Sequence, residues 1–294
     1  MPRTTHAVLA CALTLGVSGS VRPEGEMPGV SLENTRVATL SSSTVEQDYR
    51  IDIALPYGYE SSEKSYPVVY LLDSDALFGL VTDVSRLLPL EGVPVFLGRQ
   101  RVPELIIVGI GYPGGVAEMS NKRGRDMNPP EGSKGEINPR GAADFYSFLS
   151  DDLIPWVESN YRAAPTDRTL LGASRGGVFV LSTLFLHPET FRRYVAISPV
   201  IEPPIAEYLE RYSARENRPQ ARLFLSAGSS GDLEKGIAEG VKLLTSRLDE
   251  LGPGSLDWSA QSFDGETHVS VVPRALVSAL TNVFSEPSTT ASGD

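Results

Sequence analysis

Short apolar runs alternate with amphipathic stretches along the chain, and from about residue 104 the alternation becomes regular. Residues 49–55 switch between apolar and polar side chains, the period of a half-buried strand. Residues 68–72, 105–110, 169–171, 194–197, 223–227 and 256–263 read as further strands. Several of them are continuously apolar, as strands covered on both faces must be. Between them, residues 142–160, 177–186, 233–251 and 272–284 read as helices. In the third, Ile237, Val241, Leu244, Leu248 and Leu251 recur at steps of three and four and mark one buried stripe. Parallel strands need such helical crossovers, so the pattern predicts an α/β domain, a mostly parallel, doubly wound sheet with helices on both faces.

The 294 residues suffice for one substantial core. The ends differ from the middle. Residues 1–19 hold Arg3, an apolar run over 7–17 and then Ser18 and Gly19, the shape of a secretory signal peptide cut after Gly19. That predicts a secreted or periplasmic protein, with a cytoplasmic one as the alternative. The run is too short to span a bilayer, and no later stretch is longer. Residues 20–44 form a polar segment and 285–294 a small, polar tail, which leaves 45–284 as the catalytic domain.

A formal charge of −11 without a Lys/Arg-rich run argues against nucleic acid and anionic membrane partners. The single cysteine, Cys11, rules out an intrachain disulfide, a cysteine zinc cluster and a thiol nucleophile in the body. Only His6, His187 and His268 could supply an imidazole, too few and too scattered for a His-rich metal site. No metal and no other cofactor is implied.

The candidate chemistry starts at Gly172-Ala173-Ser174-Arg175-Gly176, the only G-x-S-x-G in the chain. The triplet alone is weak, but an apolar strand ends at Leu171 and an apolar helix begins near Val178. That is the setting in which a nucleophilic serine sits on a tight turn. A serine hydroxyl needs a base, and the chain order of this fold puts the base near the C-terminus, where His268 stands alone. His187, before Pro188, reads as a helix-end residue.

The acid should follow the strand ending at Ala227, where Asp232 and Glu234 are available. Asp232 is preferred because it lies nearer the strand end, while Glu234 reads as a helix-start carboxylate. The oxyanion donors would be the backbone N–H of Arg175 and one from the Ser74-Asp75 turn, taken as Ser74. Asp73 and Asp75 read as turn and cap residues. Lys122, Arg123, Arg125, Lys134 and Arg140 gather in one stretch, read as a loop paired with nearby carboxylates such as Asp126; the alternative is a patch that draws an anionic substrate.

LPYGY (55–59), YPVVYLLD (66–73), IIVGIGYP (106–113), RGRDMNP (123–129), the GASRGG turn, FRRYVAISP (191–199) and GETHVSVVPRAL (265–276) together resemble the putative-esterase family of α/β-hydrolases. That family includes the siderophore trilactone esterases and is similar to feruloyl esterases and the mycolyl-transferring antigens. The resemblance spans nearly all of residues 45–284. It implies an α/β-hydrolase with a minimal lid, a Ser174–His268 catalytic pair and an oxyanion donor from the loop after LLD. The chain departs from the family pattern at Arg175, at Val200-Ile201-Glu202 and in a longer acid loop. The expectation is therefore a serine hydrolase acting on a small-molecule carboxylic ester, of siderophore lactone type. An acyltransferase using the same site and a non-catalytic binding protein on the same fold are the alternatives.

Overall fold

The computed structural model describes residues 29–92, 102–129, 141–252, 254 and 256–285. The expected signal peptide with Cys11 and His6, as well as Lys134, Arg140 and the tail from 286, lies outside these residues.

Eight strands form one sheet in the order β1-β2-β4-β3-β5-β6-β7-β8. They are β1 Thr35–Ser42, β2 Gln47–Ala54, β3 Tyr66–Leu71, β4 Ile106–Gly111, β5 Ala163–Ala173, β6 Arg193–Ile197, β7 Ala221–Gly228 and β8 Leu256–Phe263. β1 pairs antiparallel with β2, and β2 antiparallel with β4; every other pairing is parallel. The side-chain period of two splits each central strand between two cores. Val68, Tyr70 and Leu72 face one of them, which is lined by Phe145, Phe179, Ile205 and Ile237; Val69 and Leu71 face the other, with Val81, Ala275 and Leu280.

The helices are α1 Ser74–Leu87, α2 Val116–Met127, α3 Gly141–Ser147, α4 Ile154–Asn160, α5 Arg175–Leu186, α6 Pro203–Ser213, α7 Asp232–Glu250 and α8 Val271–Phe284. The arrangement is that of an α/β-hydrolase, as expected. Among the described residues no helix is long and apolar enough to cross a membrane.

Three features depart from the sequence reading. Thr35–Ser42, expected in a polar segment outside the domain, is the edge strand β1; only Ser42 of its residues is buried, and backbone pairing to β2 rather than burial holds it. The expected helix over 142–160 is divided by a π-helical stretch, Phe148–Leu153, between α3 and α4. Helices α1, α2 and α6 were not read. Of the twelve residues of α2 only Asp126 and Met127 are buried, so no apolar stripe marks it, and α6 opens on Pro203-Pro204. Lys122, Arg123 and Arg125 thus belong to a helix, not to a loop.

The last turn of α2 is pinned by a buried charge. Asp126, fully buried, accepts hydrogen bonds from the hydroxyls of Tyr49 (2.9 Å) and Tyr112 (3.0 Å) and from Nε of Arg125 (2.6 Å). Burial, and then the Asp126 charge, push both tyrosine hydroxyls far above their ordinary range, so they stay neutral donors. Removing the carboxylate would strand the two buried tyrosine hydroxyls and unpair Arg125, whose side chain is 31% exposed and also donates to Gln47. Asp126→Ala is expected to cost roughly 3–5 kcal/mol, read as a lower urea midpoint at unchanged slope. A loss under about 1 kcal/mol would mean that the network contributes little.

Candidate active site

Ser174 lies between β5 and α5 with φ 55° and ψ −119°, a region non-glycine residues rarely occupy. Its N–H donates to the Ile197 carbonyl (2.8 Å), and its own carbonyl accepts the first helical bond from Val178 (3.1 Å). The turn is tight enough to require glycine: a Cβ on Gly172 would lie 2.5 Å from the Gly176 backbone. The serine side chain is thereby raised above the C-terminal edge of the parallel strands.

His268 follows β8, and backbone bonds hold its loop. The N–H groups of Ser229 and Ser230, just past β7, donate to the Glu266 carbonyl (3.0 Å each), and the Gly265 N–H donates to Ser229 Oγ (2.9 Å). A Cβ on Gly228 would sit 2.2 Å from that same Glu266 oxygen, so the end of β7 must be bare. The result brings His268 Nε2 to 2.9 Å from Ser174 Oγ. His187, at the far end of α5, stacks on Tyr146 with ring centroids 3.7 Å apart, roughly 20 Å down the helix from the serine at 1.5 Å per residue.

The acid expected beside the imidazole is Asp232, and the structure corrects this. The Asp232 side chain is fully exposed, and its nearest cation is Lys235 at 4.0 Å. Glu234 stands there instead, 1% exposed, with Oε1 2.5 Å from His268 Nδ1. Its Oε2 accepts from Ser198 Oγ (3.1 Å) and from the Gly228 N–H, so the buried carboxylate is fully partnered.

Helix geometry explains the choice. The buried stripe of α7 runs Glu234, Ile237, Val241, Leu244, Leu248, so Glu234 is its first member, one turn before the first apolar position. Asp232, two residues earlier, is turned by roughly 160° to the solvent side. Ser198, with φ 44°, was not anticipated; only the approach of β6 to β7 brings it in.

The N-termini of α5 and α1 adjoin. Arg175 and Ser74 are their first residues, so the backbone N–H of each has no intrahelical acceptor. Asp73 takes a left-handed conformation (φ 55°, ψ 41°) and brings its Oδ2 to 3.2 Å from where a Cβ on Gly176 would be. The Ser74 hydroxyl itself donates to Asp52. Asp73 and Asp75 are not a paired-carboxylate site. Arg123 grips Asp73 through Nε (2.8 Å) and a terminal nitrogen (2.6 Å), while Asp75 accepts the Tyr112 N–H (2.9 Å). Burial pushes the Asp73 carboxyl up, and the Arg123 guanidinium opposes it. Of the basic cluster, Lys122 pairs with Glu118, Arg123 with Asp73 and Arg125 with Asp126.

A cavity of about 260 Å³ opens beside the serine, between Ser174 at the N-cap of α5, Arg175 and Val178 of α5, Arg123 of α2, Asn128 just past α2, and Val200 and Glu202 after β6. A second cavity of about 180 Å³ lies farther along α5, beside the His187–Tyr146 stack.

The sheet order, the strained turn and the residues gathered over it define the chain as an α/β-hydrolase. It belongs to the Putative esterase family, whose model matches residues 42–248. It is 30% identical over 278 residues to the ferri-bacillibactin esterase BesA of Bacillus subtilis (strain 168), covering 87% of this chain and 91% of that protein. To the siderophore enterobactin esterase of Emericella nidulans it is 32% identical over 169 residues, 52% of this chain and 54% of that one. The BES protein from Bacillus cereus superposes with a TM-score of 0.78 at 26% identity, over 89% of this chain and 100% of that one. The siderophore hydrolase EstA from Aspergillus nidulans does so at 0.72 and 24% identity, over 88% and 99%.

Proposed function

We propose that this protein hydrolyses a carboxylic ester through an acyl-enzyme on Ser174, and that its substrates are siderophore esters or lactones. The observation that carries the chemistry is the run of contacts from Ser174 Oγ to His268 Nε2, and from Nδ1 to Glu234. A carboxylate at Glu234 accepts the Nδ1–H, which leaves the Nε2 lone pair to take the serine proton.

As Ser174 Oγ bonds to the ester carbon, its proton moves to Nε2 and the carbonyl oxygen becomes an oxyanion. The N–H groups of Arg175 and Ser74 hold that oxyanion; each such donor is worth about 10²–10³ in rate. Collapse of the intermediate breaks the C–O bond, and the imidazolium returns its proton to the departing alkoxide. Water then repeats the sequence against the acyl-serine and regenerates the free hydroxyl. The substrate class is supported by the relatives, whose names specify ferri-bacillibactin and the siderophore enterobactin.

A fluorophosphonate tests the chemistry. One adduct per chain is expected, mapped to Ser174 and absent after denaturation; labelling elsewhere, or none, would remove the acyl-enzyme. A panel of trilactone siderophores, iron-loaded and iron-free, set beside simple p-nitrophenyl esters tests the substrate class. Higher kcat/KM on the trilactones is expected.

A further inference from the structure

Strand β6 ends beside both the nucleophile turn and the acid. The Ile197 carbonyl accepts the Ser174 N–H (2.8 Å), and the hydroxyl of the next residue, Ser198, donates to Oε2 of Glu234 (3.1 Å). Two adjacent residues thus hold the serine and the carboxylate that meets the imidazole.

The backbone at Ser198 is costly. Its φ of 44° lies in the left-handed region, which side chains other than glycine avoid, and the following Pro199 restricts it further. The end of β7 fixes it there, because the Ser198 N–H donates to the Ser226 carbonyl (2.9 Å). Strain of this kind gathers at functional sites, where the surroundings over-determine the conformation. Ser198 is buried and does not line the cavity beside Ser174, so substrate contact does not explain it.

The carboxylate of Glu234 does. Its Oε1 meets His268 Nδ1, and its Oε2 also accepts the Gly228 N–H. With that one donor on Oε2 the carboxyl group could still turn about the contact. A second donor, arriving from β6 rather than β7, fixes the plane of the carboxylate and with it the direction of Oε1. Hydrogen bonds of this type, to a buried charge, are among the strong ones.

We propose that Ser198 is a positioning residue of the active site. Acting through Glu234, its hydroxyl holds His268 in the orientation and tautomer that accept the serine proton. The inference rests on the Ser174–His268–Glu234 chemistry proposed above and adds the group that aims the acid.

The test uses Ser198→Ala and Ser198→Gly, which both remove the hydroxyl but differ at the backbone, since glycine rests at a positive φ and alanine does not. Both are expected to lower kcat on p-nitrophenyl acetate by about tenfold, the rate equivalent of one hydrogen bond to a charged group, with KM within about twofold of wild type. Melting curves should separate them, Ser198→Gly lying above Ser198→Ala, so an equal loss of kcat cannot come from stability. In a Glu234→Gln background each substitution should cost less than about twofold, because the group it acts through is gone.

Losses below about threefold in both variants, beside the fall expected for Glu234→Gln, would overturn the positioning role and leave the acid standing. Losses that follow the melting points instead of the missing hydroxyl would also refute it, as would a full tenfold loss in the Glu234→Gln background. Wild-type turnover in Glu234→Gln itself would remove the acid, and the role of Ser198 with it.

Discussion

Ser174→Ala is expected to lower kcat/KM on a p-nitrophenyl ester by about 10⁴-fold or more while leaving a folded protein. The size follows from what the hydroxyl does. Without it there is no covalent intermediate, and what remains is the polarising effect of the helix-start N–H groups on attack by water. The substitution touches no core contact, so the loss cannot be assigned to unfolding; a circular dichroism melt at or above the wild-type midpoint checks this. His268→Ala should lose about as much, and the double variant little more, because the two residues act as one unit and their losses do not add. Turnover within about tenfold of wild type in Ser174→Ala would take the nucleophile away from this turn.

The second large effect is Glu234→Gln, for which a fall in kcat of about 10³–10⁴ is expected. Glutamine fits the same space and can still accept the Gly228 N–H, but its NH2 would point a donor at Nδ1. The imidazole must then carry its proton on Nε2, where it faces the serine hydroxyl and can no longer accept. Asp232→Ala is the control, expected within about twofold of wild type, since its side chain is exposed and meets only Lys235. Steady-state kinetics on one ester separate the two residues. A loss in Asp232→Ala equal to that in Glu234→Gln would restore the aspartate.

The strand-and-helix order was legible because buried parallel strands have to be apolar on both faces, as in residues 106–111, which are buried throughout. The Ser174 turn was legible because few sequences both bend and pack that closely, and His268 because the chain offers so few imidazoles. Asp232 was preferred on distance from the strand end, yet helix phase is what decides. Extending the stripe of Ile237 and Val241 back by one turn reaches Glu234, so the signal was present in the residues. Ser198 left no comparable trace. It serves Glu234 from just past the end of β6, and its contact exists only once β6 and β7 are in register. Helix α2 was illegible for a different reason: it is held by Asp126 and by ion pairs, which carry no apolar period.

The backbone at Ser174 has one more consequence. Its φ of 55° with ψ −119° is territory where glycine rests easily and serine does not, a burden of about 1–3 kcal/mol that the surrounding sheet and helix must hold in place. Thermal robustness and reactivity therefore pull against each other at this one residue. A lineage selected only to resist heat would drift there towards glycine and become inert, whereas one selected for turnover must keep the rest of the domain firm enough to carry the strain.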